Sequence, residues 1–69
     1  MSASTRIKRL LIEAKRSMDE GDYASPAHQE RLICETLGVK YDFGKHDLIF
    51  VAYYLGEINI EQLIGGISE

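Results

Sequence analysis

The chain has 69 residues, 45% of them hydrophobic, with one proline, six glycines and a net charge of −3. This composition describes one globular domain and excludes a disordered or low-complexity chain. The single cysteine, Cys34, excludes an internal disulfide, and the longest apolar run, Leu48 to Leu55, is far shorter than the roughly 20 residues a membrane-spanning helix needs. The amino-terminal segment carries no hydrophobic signal core, so a cytoplasmic protein is expected.

The first predicted helix runs from about Thr5 to Glu20, capped by Ser4 or Thr5 and stopped by Gly21. Ile7, Leu10, Leu11, Ala14 and Met18 recur at helical spacing and form its core stripe. Arg9, Ile12 and Arg16 fall on the opposite side and make a secondary basic face with one apolar contact point. Charge divides unevenly at this helix. Residues 1–16 hold Arg6, Lys8, Arg9, Lys15 and Arg16 against Glu13 alone, for +4. The remainder holds Arg31, Lys40 and Lys45 against ten acidic residues, for −7. A basic helix on an acidic body can steer an acidic partner.

The acidic connector Asp19-Glu20-Gly21-Asp22 lacks the oxygen ligands and central glycine of a calcium loop, since Gly21, Tyr23 and Ala24 stand at those positions. Ser25-Pro26 opens a second helix over about 26–37, with serine as cap and proline at its first position. Ala27, Ile33, Cys34 and Leu37 form the expected inner arc, and His28, Arg31 and Glu35 face out. Gly38 supplies a left-handed stop, with Val39 folding back toward Cys34.

The run Leu48 to Leu55 is ambiguous between strand and helix, because it is apolar throughout. Gly56-Glu57 before Ile58-Asn59-Ile60 could make a hairpin turn. The competing signal is stronger. Asn59 and Gln62 stand at capping-box spacing, with Ile58 and Leu63 at the staple positions, and Gly56 fits the end of a preceding helix. Asp42 caps that preceding helix, which spans about 43–55. The fourth helix, about 60–64, gives out in Gly65-Gly66. The expected fold is all-α, a small three-helix bundle plus a short C-terminal fourth helix.

No residue pattern announces a reaction, cofactor or metal. His28, Cys34 and His46 lack the paired spacing of a zinc site, and Gly65-Gly66 lacks the lysine and following helix of a phosphate loop. The segment Glu30 to Val39 reads like the first helix and turn of a helix-turn-helix unit. The next helix, however, would have to present polar side chains to base edges, and it is apolar almost all round. Nucleic-acid binding through the basic first helix is therefore the alternative, and membrane association is not expected.

The function expected is that of a small protein–protein interaction module: a regulator, adaptor or inhibitor of bacterial or phage type that engages another protein or a second copy of itself. On a helical wheel Gly44, Leu48, Val51 and Leu55 cluster on one side of the third helix, taken as its core side. Ile49, Phe50, Tyr53, Tyr54 and His46 lie toward the other side and make the candidate partner interface. If the remaining helices wrap the third completely, Ile49 and Tyr53 are core instead.

Overall fold

A computed structural model describes residues 3–68. It contains four helices, α1 (Ala3–Asp19), α2 (Ser25–Thr36), α3 (Phe43–Tyr54) and α4 (Ile60–Ser68). No strand occurs among the described residues: Leu48 to Tyr54 is helical, with Leu55 as its C-cap, and the fold is all-α.

The helix ends follow local chemistry. Gly21, Gly38 and Gly56 take φ of 85°, 73° and 78°, a region that a Cβ penalises and glycine enters freely. Behind each glycine the chain turns back on the helix it has just left. The amides of Asp22, Val39 and Glu57 donate to the carbonyls of Ser17, Cys34 and Ala52, each at 2.9 Å. These are three Schellman endings on one pattern. The starts differ more from expectation. Helix α1 begins at Ala3, so Ser4 and Thr5 lie within it rather than capping it. At α2 the capping oxygens belong to Asp22, not Ser25: its carboxylate accepts from the amides of Ala24 and Ser25 at 3.0 and 3.1 Å, and from the Ser25 hydroxyl at 2.6 Å. Those three donors hold the exposed Asp22 carboxyl below its ordinary range, the hydroxyl foremost. At α3, Asp42 accepts from the Gly44 amide at 3.1 Å. At α4, Asn59 and Gln62 exchange reciprocal side-chain-to-amide bonds of 2.8 Å, a complete capping box.

Helix α1 packs chiefly on α2, and α3 on α4. All four feed one core of Ile7, Leu11, Ile33, Cys34, Phe50, Leu63 and Ile67. Helix α4 runs four residues past the expected end, through both glycines. Each glycine costs a helix about 1 kcal/mol relative to alanine. Burial of Ile67, one turn after Leu63, offsets that cost, because fully burying such a side chain is worth about 1.5–3 kcal/mol. Gly66 also lies against α3, where a Cβ would stand 3.4 Å from Cδ1 and Cγ2 of Ile49.

Candidate functional site

Helix α3 is rotated about its axis relative to the sequence expectation, and this decides which of its side chains are available. Phe50 and His46 are buried within the chain. Ile49, Tyr53 and Tyr54 are half-buried and pack against the core, Ile49 facing Gly66 of α4. The interface expected at Ile49, Phe50, Tyr53, Tyr54 and His46 is thus occupied from inside. The side expected to be core is open: Leu48 is 73% exposed, Leu55 69% and Val51 39%, with Phe43 63% exposed at the helix start.

Two polar contacts accompany this rotation, one within α3 and one reaching α2. The first is His46, which caps backwards: its Nδ1 accepts the Asp42 amide at 2.9 Å. Tyr41 stacks near the same ring, with centroids 6.0 Å apart and planes 26° apart. Accepting at Nδ1 places the ring proton on Nε2, which is buried without a hydrogen-bond partner among the described residues. The second anchor is Tyr54, whose hydroxyl donates to Glu30 Oε2 at 3.0 Å. His46, Phe50 and Tyr54 follow one another at intervals of four residues, so one stripe carries both anchors with Phe50 between them.

Glu30 was not singled out by sequence reasoning, yet it joins three segments. It projects from the middle of the apolar arc of α2 and is 4% exposed. Tyr41 donates to its Oε1 at 2.9 Å while Tyr54 donates to Oε2. Burial raises its pKa above the ordinary 4.5, the two phenols work against that rise, and the neighbouring Asp47 carboxylate adds to it. Burial foremost, then the Glu30 carboxylate, pushes both phenols upward in turn. Cys34 is fully buried, and burial foremost, with Glu30 second, pushes its thiol up to about 11. It therefore stays protonated at neutral pH and packs as a small hydrophobe. The signal for Glu30 was present in the spacing: an acid with Pro26, Ile33, Cys34 and Leu37 at i−4, i+3, i+4 and i+7 must point inward. Ala27, expected on the inner arc, is exposed instead.

The open side of α3 borders a groove of about 250 Å³. Its walls come from Met18 at the end of α1, Tyr23 in the connector, Pro26 and Ala27 at the start of α2, and Phe43, Val51 and Tyr54 on α3. Glu30 and Asp47 line it too, so an apolar groove carries two carboxylates. A cleft of about 380 Å³ beside Arg31, Glu35, Lys40 and Tyr41 mixes both signs of charge and borders none of the exposed α3 hydrophobes. On the far side of α1, Arg9, Ile12 and Arg16 are all exposed, Ile12 at 60%. Among the described residues no group of three or more histidine, cysteine, aspartate or glutamate side chains converges on a metal position. Among the described residues no helix is long and apolar enough to cross a membrane.

Comparison of the chain with known protein families, with curated proteins and with solved structures gave no match.

Proposed function

We propose that this protein is a small cytoplasmic interaction module, a regulator, adaptor or inhibitor, whose partner surface is the outer side of α3. One observation carries the reading. Leu48, Val51 and Leu55 lie on one side of a helix whose opposite side packs on the core, and they stay exposed among the described residues. Scattered exposed hydrophobes are ordinary, but large neighbouring ones on one rigid face mark association surfaces. Phe43 and Tyr23 extend the apolar area across the groove and supply the aromatic side chains such surfaces favour.

The test is substitution of Leu48 and Leu55 by aspartate, singly and together. Circular dichroism should show unchanged helical content and thermal transition, whereas light scattering or titration with a partner should show association lost. Unfolding of both variants, with a parent that stays monomeric and binds nothing, would overturn the proposal.

A further inference from the structure

Helix α3 is exposed at Phe43, Gly44, Lys45, Leu48 and Val51, and its C-cap Leu55 is exposed as well. Four of these, Gly44, Leu48, Val51 and Leu55, are spaced by four, three and four residues. That is the spacing by which one helix presents a seam to another. It also reads the same from either end. Laid antiparallel on a second copy of itself about a two-fold axis, the seam therefore falls in register: Leu48 meets Val51 and Gly44 meets Leu55, each contact made twice. Sizes fit as well as spacing. The Leu55 side chain enters the gap left at Gly44, where a Cβ would meet only the Asp42 carboxylate, at 3.6 Å. A parallel pair would instead set Gly44 on Gly44 and leave a void at one end. A partner of different sequence places no such symmetry on this side, whereas a second copy requires it.

We infer that the outer side of α3 is covered by the same side of a second copy of this chain, the two α3 helices packing antiparallel about a two-fold axis that passes between Leu48 and Val51. The inference rests on the reading of that side as a partner surface. Phe43, Leu48, Val51 and Leu55 are 63%, 73%, 39% and 69% exposed. Together they leave on the order of 400 Å² of apolar surface per chain, the size at which a patch marks an association site. Covering both patches and their rims removes roughly 1,000 Å², the lower bound for specific pairing. The pair is therefore weak and concentration-dependent. Salt does not loosen it, because the seam itself holds no charge.

The experiment is sedimentation of the full chain from about 1 μM to about 1 mM at low and high salt. The expected result is a mass rising from one chain toward two, with association undiminished at high salt. Leu48→Glu alone and Val51→Lys alone should each weaken self-association about tenfold or more, with helical content unchanged by circular dichroism. Mixing the two variants should restore pairing. In the mixed pair the new acid of one chain faces the new ammonium of the other, and the second Leu48–Val51 contact keeps its original side chains. A parallel pair offers no such rescue, since each new charge would face an apolar side chain. Gly44→Glu mixed with Leu55→Lys repeats the test at exposed positions where each charge suits its helix end, so it decides the question even if Val51→Lys does not fold. A parent monomeric at every concentration overturns the self-pairing alone and leaves this side open to another protein. Association that survives every single variant overturns the self-pairing and the reading of this side together. Association lost in the single variants and not restored by mixing overturns the antiparallel pair, while the partner surface on α3 stands.

Discussion

The two sides of α3 are nearly equal in hydrophobicity and opposite in fate. One side carries His46, Phe50 and Tyr54 and is locked into the core; the other carries Leu48, Val51 and Leu55 and is open. Apolar burial alone does not choose between them. Burying either set is worth about 1.5–3 kcal/mol per large side chain, so turning the helix over would exchange one such sum for another of similar size. What differs is hydrogen bonding. Two phenols donating to a carboxylate contribute about 1.5–3 kcal/mol each, and only one rotation brings Tyr54 to Glu30. In a helix apolar almost all round, a few polar atoms set the rotation.

The comparison is sharpest at Phe50 and Leu48. Phe50→Ala should cost about 3–5 kcal/mol, close to all the stability a core of this size supplies, so the thermal transition should broaden or vanish. Leu48→Ala should change stability by less than about 0.5 kcal/mol in the same denaturation experiment. Equal effects at the two positions would mean that the sides do not differ as described.

The polar anchor is tested at Glu30. Glu30→Ala leaves two inward phenols without their acceptor and should cost about 2–4 kcal/mol by urea denaturation. Glu30→Gln keeps one acceptor oxygen, offers the other phenol an N–H that its hydroxyl oxygen can accept, and removes the charge, so it should stay within about 1 kcal/mol of the parent at neutral pH. The pH dependence separates them further. The folded carboxyl has a raised pKa, so the folded chain holds this proton more tightly than the unfolded one. Its contribution to stability is fully present below the ordinary carboxylate range and is lost as the pH rises through the raised value. Glu30→Gln should abolish that loss. A parent whose stability rises through the same window, with the glutamine variant unchanged from it, would remove Glu30 from the account.

A smaller effect of opposite sign is expected in α4, which covers the locked side. A Cβ at Gly65 meets nothing within 4 Å, so Gly65→Ala should stabilise the chain by about 0.5–1 kcal/mol through helix propensity. The measurement is the shift in denaturation midpoint. A destabilised Gly65→Ala would mean that α4 needs its flexibility there. At the bottom of the scale lies nucleic acid: gel-shift or fluorescence titration at physiological salt should detect no association through Arg9 and Arg16, and a low-micromolar complex sensitive to salt would contradict the reading of that face.

Much of this fold was legible in the residues. The three glycine endings, the Asp42 cap and the Asn59–Gln62 box are local signals whose partners lie within a few positions, and the structure has all of them; of the expected α1 stripe it buries Ile7, Leu11 and Ala14, while Met18 borders the groove. The choice of helix over strand for Leu48 to Leu55 followed from the same local signals at its two ends. The rotation of α3 was not legible, because its determinants are distant: Tyr54 meets Glu30 across 24 residues, and Tyr41 meets it across 11. Counting hydrophobes around α3 could not reveal that, and the side of Leu48, Val51 and Leu55 reads as core where the structure leaves it open. An excess of apolar helix over available cover was a sound inference, but it needed Glu30 to say which side was left over. The length of α4 was missed for a related reason. Glycine propensity argued for a stop at residue 64, and the burial of Ile67 against distant partners overrode it.

The repeated glycine endings also bear on how quickly the chain reaches this state. Each fixes the exit direction of a helix using bonds that span five residues or fewer, so three of the chain's reversals can form before any distant contact is made. Connectors are short and most pairings are local, the circumstances under which small helical domains fold in microseconds to milliseconds. The clasp between Glu30 and Tyr54 closes a much longer span and belongs to the last stage, when the rotation of α3 is fixed. Loss of that clasp should therefore appear mainly as faster unfolding, with the folding rate nearly unchanged.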